Sequence, residues 1–119
     1  VPENIPINTT TLDLSFNQLT TIRNKDFQHL DNLVCLILSF NPISHIEEEA
    51  FVGLEKLQML ELNNHSLNNQ VFDPDVRLFQ PLKKLEQLDL SRNNLIKLPK
   101  DIFKSLNQLK IINLAFNKL

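Results

Sequence analysis

Few residues of this 119-residue chain are of types that do chemistry, and they are scattered. His29, His45 and His65 share no spacing that would place two of them on one strand or helical face, so no metal site is expected. Cys35 is the single cysteine, which leaves no intrachain disulfide. The single glycine, Gly53, cannot build a phosphate loop, a nucleophile elbow or a dinucleotide-binding turn. No cofactor is expected, and the chain is not expected to be an enzyme. What remains is modification chemistry. Asn8-Thr9-Thr10 and Asn64-His65-Ser66 are acceptor sequons for N-linked sugar, whereas Asn41-Pro42-Ile43 is not. Both would stay unused in a cytosolic protein.

Composition narrows the classes further. The net charge is −2 and charged residues make up 22%, an ordinary soluble surface. That balance disfavours a dedicated nucleic-acid binder, which carries a basic face. No run approaches the roughly 18 apolar residues of a membrane span. The opening Val1-Pro2-Glu3-Asn4 has neither a basic nor an apolar leader region, so a secreted form would have lost its signal or carry it upstream.

The elements that position these residues come from an internal repeat. With its first leucine as position 1, one coil carries leucine at 1, 4 and 6, asparagine at 9, an aliphatic residue at 11 and 14, phenylalanine at 19 and leucine at 22. Segment 33–56 fits throughout, with Leu33, Leu36, Leu38, Asn41, Ile43, Ile46, Phe51 and Leu54. Segment 85–108 fits equally well, and 9–32 departs only at Thr9. Coil 109–119 is incomplete, and coil 57–84 has 28 residues instead of 24 and places His65 where asparagine is expected.

Alternation at positions 4 and 6 predicts a short strand with its leucines inward. One coil cannot bury its stripe alone, so stacked coils share a core and their strands pair in parallel. The position-9 residues Asn17, Asn41, His65, Asn93 and Asn117 are expected to form a structural ladder that satisfies backbone groups inside each bend. Titration of His65 near pH 6.5 would loosen its coil. Phe27, Phe51, Phe79 and Phe103 are expected to stack as a column on the wider, convex side.

Positions 3, 5 and 7 then point outward from the concave strands. Position 3 supplies a moderately apolar column with Cys35, Met59 and Ile111, beside Gln87. Position 5 supplies Asp13, Ile37, Glu61 and Asp89, largely acidic. Neighbouring strands lie about 4.8 Å apart, so these eight residues form one patch. Two readings stay open for it: a face binding a protein or a ligand with apolar and cationic groups, or ordinary solvated strand surface. Cys35 is a free thiol, a partner-paired thiol or a shielded one. The extra residues of the third coil include Phe72, Asp73 and Asp75, a contact loop or a surface irregularity.

The coil L-x-x-L-x-L-x-x-N-x-L resembles the leucine-rich repeat, and its 24-residue length with phenylalanine at 19 resembles the extracellular vertebrate subclass. The opening V-P-x-x-I-P before Leu12-Asp13-Leu14-Ser15-Phe16-Asn17 is similar to the exit from a cysteine-rich N-terminal cap. That junction occurs in Toll-like receptors, lamprey variable lymphocyte receptors and small leucine-rich proteoglycans, and the lengthened third coil is most similar to Toll-like receptors. The resemblance implies an α/β-type solenoid: a curved, right-handed coil of about 4.5 repeats with a concave parallel β-sheet. It implies a single domain, with residues 1–8 the remnant of the cap. It implies non-catalytic recognition by an innate-immune receptor ectodomain, outside the cell or in an endosome. The membrane would be met only through missing C-terminal segments of a single-pass protein. Partners would be a protein or microbial ligand, a co-receptor and a second receptor copy, with no nucleic acid favoured. Antigen binding of the lymphocyte-receptor kind, or binding of collagen or growth factors, is the alternative. As an isolated chain, the protein is expected to self-associate through the apolar face of its last coil or to be marginally stable. Sedimentation at several concentrations checks this, and a stable monomer refutes it.

Overall fold

A computed structural model describes residues 1–71 and 77–119. Each coil contributes one strand to a parallel sheet: β1 (Thr11–Asp13), β3 (Cys35–Ile37), β5 (Met59–Glu61), β6 (Gln87–Asp89) and β7 (Ile111–Asn113), paired in that order. Two coils add a second parallel pair on the far side of their turns, β2 (Thr21–Ile22) and β4 (His45–Ile46). The register joins equivalent repeat positions, so Leu12, Leu36, Leu60, Leu88 and Ile112 stand side by side.

Pairing continues past each strand. The amides of Leu14, Leu38, Leu62 and Leu90 donate to the position-5 carbonyl of the next coil at 2.8 to 3.0 Å. The chain then turns through a left-handed residue at position 8, occupied by Phe16, Phe40, Asn64, Arg92 and Phe116, with φ of 57° to 61°. This obligatory turn ends every strand after three residues.

The solenoid has the expected parallel strands, and its convex connections are turns. Among the described residues there is no α-helix, only a 3-10 turn at Asn69–Val71. The reason lies in the amide bonds. Leu30 donates to Phe27, Leu54 to Phe51 and Leu106 to Phe103, each three residues back, so the backbone takes the tighter 3-10 type of turn in place of α-helical winding. Those turns bring the phenylalanine at 19 and the leucine at 22 inward together.

The core runs the length of the stack. Phe27, Phe51, Leu36, Leu38, Leu60, Leu62 and Leu90 have no exposed surface. Phe51 and Phe79 stack with centroids 6.4 Å apart, and Phe79 and Phe103 at 6.3 Å. Gly53 sits where only glycine fits. Its φ is 97°, and an added Cβ would lie 2.8 Å from the Gln28 carbonyl oxygen of the preceding coil. At the last coil β7 is exposed along its length, with Ile111, Ile112 and Leu119 open.

Candidate functional site

The outward strand residues fall into two straight columns. Position 3 aligns Thr11, Cys35, Met59, Gln87 and Ile111; position 5 aligns Asp13, Ile37, Glu61, Asp89 and Asn113. The eight residues singled out in the sequence therefore share one sheet face. A shallow hollow of about 160 Å³ lies across β5, β6 and β7, lined by Met59, Glu61, Gln87, Asp89, Ile111 and Asn113. Ile111 is 57% exposed at its edge and offers an apolar contact.

The acidic column is less free than its composition implies. Asp13 Oδ1 accepts from the Ser15 amide at 2.9 Å and from the Ser15 hydroxyl at 2.6 Å. Asp89 accepts from the Ser91 amide and hydroxyl at the same distances. These carboxylates close the strand ends, a local bond that competes with sheet continuation. The Ser15 bonds, hydroxyl first, hold the Asp13 carboxyl below its usual range. Glu61 has no such serine two residues on. The Ser39 hydroxyl reaches it from the adjacent coil at 3.2 Å and lies closer, at 2.6 Å, to Asn63 Oδ1.

Cys35 is half-buried, with its Sγ 3.5 Å from Met59 Sδ. Burial, then the nearby charges of Glu61 and Asp13, push the thiol up from its ordinary value. It stays protonated and is a weak nucleophile. Among the described residues, no three histidine, cysteine or acidic side chains converge as a metal site.

The ladder residues take different places. Asn41 Nδ2 donates to Leu14 O and Leu38 O, both at 3.0 Å, and its Oδ1 accepts the Leu19 amide at 3.1 Å. Asn93 and Asn117 repeat this, accepting the amides of Leu67 and Leu95. Asn17, in the first coil, is exposed and donates only within its own coil, to Leu14 O and Ser15 O. His65 is buried in the ladder, but it does not reproduce the pattern. Its Nδ1 lies 2.6 Å from Asn41 O, so the Nδ1–H tautomer donates there. Its Nε2 is buried without a partner among the described residues. Burial pulls the imidazole below its ordinary value, against the opposing bond to Asn41.

A pH dependence follows. The unfolded histidine takes a proton more readily than the folded one, so folding stability falls as pH drops through the unfolded value of 6.5 toward the lower folded value. His65→Asn should restore an acceptor to the Ile43 amide, raise stability by about 1 kcal/mol and flatten the profile. Thermal unfolding from pH 7.5 to pH 5 checks this; an unchanged profile in the variant overturns it.

Sequence reading missed the position-8 residues. Phe16, Phe40 and Phe116 are 75%, 46% and 70% exposed. Phe16 and Phe40 stack face to face, with centroids 4.4 Å apart and planes 6° from parallel. The Arg92 guanidinium carbon lies 4.2 Å from the Phe116 ring centroid. The available signal was the residue before each ladder position, aromatic in three coils of five. The contact-loop residues Phe72, Asp73 and Asp75 lie outside the described residues. Asn8 is exposed and Asn64 half-buried at the strand exit of the third coil.

Comparison with known proteins decides the family. The leucine rich repeat family model matches residues 7–67 and 68–119. The chain belongs to the leucine-rich repeat family. All 119 residues of this leucine-rich repeat chain align with decorin of Equus caballus at 39% identity, covering 31% of that protein. Decorin of Coturnix japonica gives 40% identity, with 32% of its length covered. The chain thus spans about a third of the relatives it matches. Among solved structures, a TLR13–ssRNA13 complex matches 96% of this chain and 15% of that one, with a TM-score of 0.85 and 36% identity. The leucine-rich repeat domain of APL1B matches 93% of this chain and 32% of that one, with a TM-score of 0.83 and 24% identity, a likeness of fold.

Proposed function

We propose that this leucine-rich repeat chain is a non-catalytic recognition segment of an extracellular protein, and that the sheet face at Met59, Glu61, Gln87, Asp89 and Ile111 contacts a protein or microbial ligand. The observation that carries this reading is the alignment of an apolar and an acidic column on that face, joined by the hollow across β5 to β7. The favoured parent is a Toll-like receptor ectodomain, the N-terminal part of a single-pass membrane protein acting as a dimer, alone or with a co-receptor. The match over 96% of the chain to TLR13 supports it, as does the lengthened third coil. That structure holds ssRNA, but here Asp13, Glu61 and Asp89 weigh against phosphate on the strand face.

A second reading has its own support. Decorin aligns over the whole chain, which favours an extracellular-matrix protein that binds collagen or growth factors. Co-sedimentation of the intact protein with fibrillar collagen separates the two. The receptor reading expects the protein to remain in the supernatant. Saturable sedimentation that Glu61→Lys abolishes would overturn it in favour of the matrix reading.

A further inference from the structure

The position-8 residues follow one another along the solenoid, one per coil, with the short side chain of Asn64 at the centre. Phe40 is covered on one face by Phe16 and remains 46% exposed. Its amide donates to Asn63 O at 3.3 Å, which sets its backbone beside that of Asn64 in the third coil. Beyond Asn64, Arg92 lies over Phe116. The column therefore reads ring, ring, short amide, guanidinium, ring. Asn64 is its one member without a large planar group, and it opens the sequon Asn64-His65-Ser66. The Ser66 side chain is exposed.

Three phenylalanines on a solvent edge need a reason. Each adopts a left-handed φ of 57°, where a bulky L-residue is disfavoured. Their exposure recovers little of that cost through burial. A ligand with flat apolar faces and a polar rim suits such a column, and a pyranose ring has that shape: its axial C–H groups pack on an aromatic face while its hydroxyls stay in water.

We propose that Asn64 carries an N-linked glycan whose first N-acetylglucosamine takes the third-coil place in this column, packed on Phe40. In the attachment step, a lipid-pyrophosphate oligosaccharide donates the sugar. The Asn64 amide nitrogen bonds to the sugar anomeric carbon, the bond from that carbon to the pyrophosphate oxygen breaks, and the amide proton leaves to a base. Asn64 suits the position because asparagine tolerates the left-handed turn, so the modified residue adds no new backbone strain. The glycan core then completes the column and guards one flank of the sheet. Asn8 is exposed and precedes the first coil, outside the position-8 column, so its sugar stays free. The proposal rests on the extracellular reading for passage through the secretory compartment, and Asn8 is the internal control.

The test is expression of the full chain in a secretory eukaryotic host that keeps its glycans high-mannose. Peptide mass spectrometry reads occupancy at Asn8 and Asn64. Trimming to a single sugar should preserve the unfolding temperature, and complete removal should lower it by about 4 °C. In Phe40→Ala that drop should vanish, and in Asn8→Gln it should persist. NMR of the trimmed protein should show N-acetylglucosamine protons shifted upfield by the Phe40 ring, a shift lost in Phe40→Ala. Asn8 modified with Asn64 bare overturns this proposal alone; both bare overturns it together with the extracellular reading. A modified Asn64 whose sugar protons ignore Phe40 overturns the packing.

Discussion

Phe79→Ala should lower folding stability by about 4 kcal/mol, a large part of the roughly 5–15 kcal/mol that holds a typical domain folded. Phe79 is 1% exposed and lies between two other rings, at 6.4 Å from Phe51 and 6.3 Å from Phe103. Two terms add. Burying a ring removes a large apolar area from water, and offset stacked pairs contribute about 0.5–1.5 kcal/mol beyond area. Collapse around the deletion is difficult because Leu78, Leu82 and Leu85 are themselves buried in the same core. A solenoid transmits the loss, since each coil is stabilised by the interface on either side. Urea unfolding followed by far-ultraviolet circular dichroism reads the effect as a midpoint shift of more than about 1 M. Phe103→Ala, at a half-buried ring, should cost about half as much. Equal shifts for the two variants would sink the account of the column.

The same phenylalanine shows what the sequence made legible. Phe79 arrives four residues late in the third coil and still reaches the column, so the inward contacts of the repeat hold in spite of the added length. Leucines at 4 and 6 and asparagine at 9 likewise determine the strand register, because a one-residue slip would turn every leucine to solvent. Other features escaped. Nothing in Asp13-Leu14-Ser15 or Asp89-Leu90-Ser91 announced that the carboxylates close their own strands. Composition counts a charge but not its partner. The exposed column of Phe16, Phe40 and Phe116 escaped for a different reason: position 8 lies outside the inward pattern at 1, 4, 6, 9, 11, 14, 19 and 22 and outside the outward strand positions 3, 5 and 7. The left-handed φ there sends the ring outward along the stack, a direction that a two-residue strand period does not contain. The wider convex side follows from the repeat, whereas the three-residue hydrogen bonds that shape it at Leu30, Leu54 and Leu106 need tertiary packing to form.

The ladder carries the second large effect. Asn41→Ala should cost about 3 kcal/mol, the sum of several buried backbone groups left unpaired. Asn41 is 3% exposed, and its side chain meets four backbone groups across two coils: the carbonyls of Leu14, Leu38 and Ser39 and the amide of Leu19. Alanine removes both the donor and the acceptor, and the bend is too tight and too dry for the orphaned groups to find full replacements. Asn17→Ala is the matched control, because Asn17 is exposed and its bonds stay within one coil; it should cost less than about 1 kcal/mol. The loss should also be local before it is global. Amide exchange at Leu19 should accelerate in Asn41→Ala while exchange at Leu95, held by Asn117, stays slow until the chain unfolds as a whole. Uniform acceleration across both ends would mean that the ladder acts through the whole stack and not coil by coil. The distinction bears on recognition, because the ladder sits at the exit of every strand in the candidate face. A bend that opens at Asn41 frees the end of β3 and moves Cys35 and Ile37 relative to Met59 and Glu61. A face built from columns keeps its geometry only while each rung holds, so Asn41→Ala should weaken any ligand that bridges the second and third coils more than one seated on the hollow across β5 to β7.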